Sequence, residues 1–275
     1  MRRRLFIFAG LVALGGAALL IPRASDVVVP QIVRLPIGTY SYRPAGEFRL
    51  GNLIMDVPLE QRYSDGELDI MKYQVTEADY ARCQAEFACP NLGSSATSDL
   101  AQTGANYDDA AAYAKWFSNQ TGQNWRLPTD AEWMRAAGNR AFSDPLPNPS
   151  NSADPSLRWL ATYRREVTQR GAADAARHPK GSFGENDLGI ADMAGNVWEW
   201  TDTCQENGIL SPDGQAIVAS TAYCGVRAVQ GKHRAFVITF VRDARSGGCA
   251  AGIPPDYLGF RLVRENKAAA SLPPL

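Results

Sequence analysis

The chain has 275 residues, 45% of them hydrophobic and 21% charged, and a formal net charge of −1. That length can bury a sizeable core, and near-neutrality removes the electrostatic footprint of a nucleic-acid-binding protein. The 17 prolines and 24 glycines point to many loops and little long helix.

The N-terminus stands apart. Arg2, Arg3 and Arg4 precede an uncharged run from Leu5 to Ile21, closed by Pro22 and Arg23. A basic head before an apolar stretch is the layout of an export signal, and this stretch is just long enough to cross a bilayer. Pro22 and Arg23 make a poor cleavage site. Residues 1–24 are therefore read either as a cleaved signal peptide or as an inner-membrane anchor held by residues 5–21. In both cases the arginines stay on the cytoplasmic side and the body is expected outside, periplasmic or secreted.

Residues 31–40 (QIVRLPIGTY) and 48–57 (FRLGNLIMDV) carry short apolar alternations, which predict strands joined by Pro/Gly turns. Thr76 with Asp79 forms a capping box for a helix over about 77–87. Cys83 and Cys89 are spaced to close a short loop behind a helical turn, and an oxidising compartment permits that bridge. No second CxxC or histidine pair accompanies them, so zinc has no support. The pairing of Cys204, Cys224 and Cys249 is open, with Cys249 expected to bridge to Cys204 or Cys224 rather than to act in redox chemistry.

Asn106 can cap a second helix. Asp108 and Asp109 suit its first turn, Ala110, Tyr113, Ala114 and Phe117 form its buried stripe, and Gly122 ends it. Thr129 and Glu132 make a capping box for a third helix, with Trp133, Ala136 and Ala137 facing inward and Gly138 as the stop. Residues 139–187 show no sustained period and are read as loop. Strand character returns at 196–201, 226–231, 235–242 and 259–264. A few helices in a frame of short strands is an α+β design rather than a doubly wound one. There is no G-x-G-x-x-G and no P-loop, so dinucleotide or ATP binding has no support.

Three segments now stand in a fixed order: 126-RLPTDAEWMRAAG-138, 188-LGIADMAGNVWEWTD-202 and 259-GFRLVR-264. Together they resemble the family of formylglycine-generating enzymes, or sulfatase-modifying factors. The flanking segments 75-VTEADYARC-83 and 107-YDDAAAYAKWFSNQTG-122 resemble the helices that precede these motifs in the family. The resemblance covers residues 31–264, leaving 265–275 as a tail. It implies a single domain with the family's C-type-lectin-like fold, poor in regular secondary structure. It also implies a maturation factor that acts on a protein or peptide-like partner outside the cytoplasm.

The family's best-known reaction, oxidation of a sulfatase cysteine, depends on a cysteine pair ahead of an A-A-R motif. Paired thiolates favour copper(I), and the metal then carries the one-electron oxygen chemistry. Counting back from Arg245 in 231-GKHRAFVITFVRDAR-245 puts the two positions at Lys232 and Val237, or with a one-residue gap at His233 and Ile238. None is a cysteine, so this reaction is not expected, and no particular redox metal is implied. Relatives with a histidine-rich iron site give no better match, because the chain has only His178 and His233. What the resemblance leaves is a maturation factor working without the copper–cysteine pair, by oxidation of another kind or as a non-catalytic binding module.

Within 189-GIADMAGNVWEWTD-202, three readings compete. Glu199 between two tryptophans could be a proton-transferring acid. Val197, Trp198 and Trp200 could simply build the core. Asp192 and Glu199 could offer hard oxygens to calcium, with loop carbonyls completing the shell. The resemblance implies the last as a structural calcium held by Asp192, the carbonyls of Gly195 and Val197, and Glu199. For chemistry, the segment 231–249 stands where the family's substrate groove lies. His233, Arg234, Arg242, Asp243 and Arg245 are its candidate catalytic or ligand-binding residues, set against the plainer reading that they form structural pairs.

Overall fold

Local hydrogen bonding fixes the helices where the caps predict them. The computed structural model describes residues 29–141, 154–170, 176–246, 248–251 and 257–264. Residues 1–24, read from the sequence as a signal peptide or anchor, and the tail 265–275 lie outside the described residues. Strands β1 (Ile32–Leu35), β2 (Gly38–Tyr42), β3 (Gly46–Leu50), β4 (Leu53–Met55), β5 (Glu60–Ser64) and β6 (Leu68–Met71) come first. Helices α1 (Glu77–Ala85) and α2 (Tyr107–Thr121) follow, then β7 (Trp125–Arg126), α3 (Asp130–Ala137) and α4 (Pro155–Arg170). The C-terminal part is strand: β8 (Trp198–Leu210), β9 (Ile217–Gln230), β10 (Arg234–Ile238), β11 (Cys249–Ala251), β12 (Leu258–Gly259) and β13 (Val263–Arg264). Among the described residues no helix is long and apolar enough to cross a membrane.

The boxes at Thr76/Asp79 and Thr129/Glu132 are both closed, and Asn106 forms a third with Asp109. Each gives two otherwise unpaired amides an acceptor. Helix α1 stops at Ala85, two residues short of the expected end, and Phe87 turns out to solvent with a φ of 57°. Gly122 ends α2 in the left-handed conformation.

Among the described residues the strands form three sheets. One runs β1-β6-β13-β7, a larger one runs β11-β10-β9-β8-β3-β4 with β12 alongside β8, and β2 pairs with β5. The C-terminal strand β13 lies antiparallel to β6, while β12 lies parallel to β8. The last described residues therefore tie both main sheets together. Between them Tyr80, Tyr113, Phe117, Trp125, Trp200 and Phe260 are buried in one core cluster, and the Tyr113 ring stacks on Phe117 at 5.9 Å. A second cluster holds Leu35, Ile70, Trp133, Ile190, Met193 and Val263. The architecture is α+β, as expected.

Three expectations need correction. Residues 139–187 are not all loop, because α4 fills 155–170. Asp154 accepts from the backbone N–H of Ser156 at 2.9 Å and Pro155 opens the helix, an N-terminal signature that the charged character of the segment obscured. The strands read at 196–201 and 226–231 are the two ends of one long hairpin, β8–β9. Its middle was illegible because polar and small residues such as Asn207, Gly208, Ser220 and Thr221 occupy it. Cys204 pairs with Cys224 across this hairpin, so neither is available to Cys249. The expected Cys83–Cys89 bridge is present.

Candidate functional site

The segment 189–202 runs through the centre of the molecule. Val197, Trp198 and Trp200 are buried, and the Trp200 indole donates to the carbonyl of Ala105 at 2.8 Å. Glu199, on β8 between the two tryptophans, is itself buried, and so are Gln74, Trp133 and Arg261 around it. Arg261 donates from Nε to Oε2 at 2.6 Å and from Nη2 to Oε1 at 2.7 Å. The Trp133 indole adds a bond to Oε2 at 2.9 Å, and the Gln74 amide adds one to Oε1 at 2.8 Å. These four bonds fix the carboxylate in place from three separate segments of the chain. Arg261 also bonds the carbonyls of Met71, Lys72 and Ala191, which sews β6 to the loop before β8.

Of the four expected calcium ligands, three converge and one turns aside. The carbonyls of Gly195 and Val197 and Oε1 of Glu199 all face the amide nitrogen of Gln74. Asp192 instead accepts from the backbone N–H groups of Gly181 (2.6 Å) and Phe183 (2.9 Å). Calcium takes six to eight oxygens with carboxylates among them. Here the one convergent carboxylate is already matched by a guanidinium and the convergent oxygens already have a donor, so the set as folded does not fit that ion. Among the described residues no cluster of three or more His, Cys, Asp or Glu side chains could hold a metal.

The five candidates from 231–249 take separate partners, apart from Asp243 and Arg245, which pair with each other. His233 is buried, with its ring edge-on to Trp198 at 4.4 Å. Arg234 pairs with the fully buried Asp130 (2.7 Å), whose oxygens also accept from Tyr42 and Gln230. Burial first, and the Asp130 charge second, push the Tyr42 phenol far above its ordinary range. Arg242 grips Asp109 through two bonds of 2.7 and 3.0 Å, on the carboxylate that also caps α2. Arg245 and Asp243 pair with each other on the surface, and Arg245 lies over the Tyr257 ring. Arg234, Arg242 and Arg245 are thus each engaged in an ion pair within the chain. Val237, one of the positions where a family thiol would stand, is fully buried on β10 between Arg227 of β9 and Cys249 of β11 in register.

Sequence reasoning missed the clefts. A cavity of about 480 Å³ is lined by Tyr40, Tyr63, Glu67, Arg126, Glu132 and Arg135, among others. A second, about 330 Å³, opens along α2 and β7 beside Tyr107, Lys115, Trp125 and Asp202. At its rim the Tyr107 hydroxyl donates to Asp202, and the Arg227 guanidinium bonds the same oxygen (2.8 Å) while lying 4.2 Å above the Tyr107 ring. Burial, then the Asp202 bond, raises the Tyr107 phenol, so it stays protonated at neutral pH. The first cleft joins the end of β5 and the turn after it to β7 and α3, and the second adds Asp202 to residues of α2 and β7, so neither was marked by a single run of sequence.

Comparison with known proteins agrees with this scaffold. The chain is 38% identical to the formylglycine-generating enzyme of Mycobacterium tuberculosis over 101 residues, 35% of this chain and 31% of that protein. It is 26% identical to the inactive C-alpha-formylglycine-generating enzyme 2 of Bos taurus over 162 residues, 58% of this chain and 48% of that one. The matches thus span between about a third and a half of the curated relatives' length. The solved structure of PvdO from Pseudomonas aeruginosa superposes with a TM-score of 0.55 at 22% identity, covering 89% of this chain and 97% of that one, which shows the shared fold. The model of the sulfatase-modifying factor enzyme 1-like domain matches residues 18–266, and the chain belongs to that family.

Proposed function

We propose that the protein is an extracytoplasmic accessory member of the family, which binds a protein or peptide-like partner during its maturation and performs no copper–thiolate oxidation of its own. One observation carries the reading. The positions where the resemblance would put the reactive cysteines are Lys232 and Val237, or with a one-residue gap His233 and Ile238; none is a cysteine, and Val237 is packed into the core on β10. A dithiolate centre has no sulfur to be built from at those places. The inactive enzyme 2 among the relatives, so described by its name, is support from outside the chain that the scaffold can persist without the reaction.

Export is supported by the arginine-led apolar segment and by two disulfides, which persist in an oxidising compartment. Binding is assigned to the mixed-charge cleft at Arg126, Glu132 and Arg135, where guanidiniums and carboxylates lie beside the Tyr40 and Tyr63 rings. Such a lining suits a peptide chain, with its alternating donors, acceptors and charged side chains. The test is to mix the full-length chain with the purified products of neighbouring genes and look for a complex by size-exclusion chromatography. A complex weakened at least tenfold by Arg135→Glu supports the assignment. A complex that forms equally well with that variant removes the cleft from it, and no complex with any exported neighbour contradicts the accessory role.

A further inference from the structure

Gln74 follows β6 and is 2% exposed. Its Nε2 lies 2.8 Å from Oε1 of Glu199, 3.2 Å from the carbonyl of Val197 and 3.3 Å from the carbonyl of Gly195. Its Oε1 accepts from the Nδ2 of Asn196 at 3.1 Å, which sets the orientation of the amide. One nitrogen thus meets three of the four groups that the family resemblance assigns to calcium. We propose that in this chain the Gln74 amide, backed by the Arg261 charge, takes the place of that cation, and that the 190–199 segment closes without metal.

Charge balance favours this arrangement. Glu199 and Arg261 neutralise each other in a site closed to water. A divalent ion added there would have to compete with the Arg261 guanidinium for Glu199, while Asp192 already accepts from the backbone N–H groups of Gly181 and Phe183. An uncompensated buried charge is far more costly than a neutral amide whose two N–H groups are shared among the same oxygens.

The backbone needs such a clamp. Asp192, Ala194 and Asn196 have φ of 60°, 57° and 61°, three non-glycine residues in the left-handed region within five positions. Each is unfavourable and persists only where the surroundings hold it. Gly195, between two of them, lies where a Cβ would come within 2.7 Å of the Phe183 ring, so only glycine fits at that point of the turn. The inward carbonyls of Gly195 and Val197 need a donor in this dry interior. Gln74 supplies it from the loop after β6.

The test is thermal unfolding of the purified full-length chain in calcium and in chelator, alongside Gln74→Glu and Gln74→Leu. The wild type is expected to melt at the same temperature in both. Gln74→Glu, which sets a second carboxylate against Glu199, is expected to melt lower in chelator and to recover by about 5 °C or more in millimolar calcium. Gln74→Leu is expected to melt lower whether or not calcium is present. A wild-type melting temperature that rises with calcium and loses that rise in Glu199→Gln overturns the proposal, as does a Gln74→Leu protein as stable as wild type in chelator. Should Gln74→Glu fail to fold, the wild-type and leucine arms still decide the matter.

Discussion

Arg261 holds both carboxylate oxygens of Glu199, at 2.6 and 2.7 Å, and neither side chain reaches solvent. The pair joins a residue of β8 to the stretch between β12 and β13, so the two main sheets are fixed to each other at this point. Removing one partner leaves the other charge buried and unmatched. Glu199→Gln should therefore lower unfolding free energy by about 3–5 kcal/mol in a denaturant titration. Replacing both residues with neutral side chains of similar volume should recover part of that loss. A single variant as stable as wild type would contradict the assignment.

Five cysteines and two bridges leave Cys249 over. Thiol titration of the denatured, unreduced monomer should count one thiol per chain, while three would contradict the Cys204–Cys224 pairing. That bridge spans 20 positions, so Cys204→Ala should cost about 3 kcal/mol through the entropy of the unfolded chain.

Two carboxylates give stability a pH slope. Burial pushes Asp69 up, but hydrogen bonds from Arg34 and Arg264 outweigh it and hold the carboxyl below its usual range. Burial opposes Glu132 in the same way and is outweighed by Arg126, with the Thr129 cap assisting. A carboxyl with a depressed folded value binds fewer protons folded than unfolded. Its contribution is complete above the unfolded pKa of about 4 and is lost as pH falls through the lower folded value. Asp69→Asn should therefore lower the melting temperature at pH 7, and the gap from wild type should shrink as the pH falls below about 4. A gap that widens on acidification would contradict the sign.

The helices were legible because their caps are local: Thr76, Asn106 and Thr129 each act within three residues of themselves. The family motifs were legible for the same reason. The middle of β8–β9 was not, since an exposed hairpin needs no apolar alternation to mark it. Gln74 escaped notice because its partners at Gly195, Val197 and Glu199 lie more than 120 positions away. The charges of 231–249 read as a cluster in sequence, yet Asp109 and Asp130, brought in by the N-terminal ends of α2 and α3, draw Arg242 and Arg234 apart.

The central claim is that this scaffold works without the oxidation its active relatives are named for. The most direct measurement offers the copper-loaded full-length chain a cysteine-containing sulfatase-type peptide in oxygen and follows the peptide by mass spectrometry. The account predicts that the cysteine is unchanged and that no oxygen is consumed beyond a peptide-free control. Conversion of the cysteine to the aldehyde with multiple turnovers would contradict it.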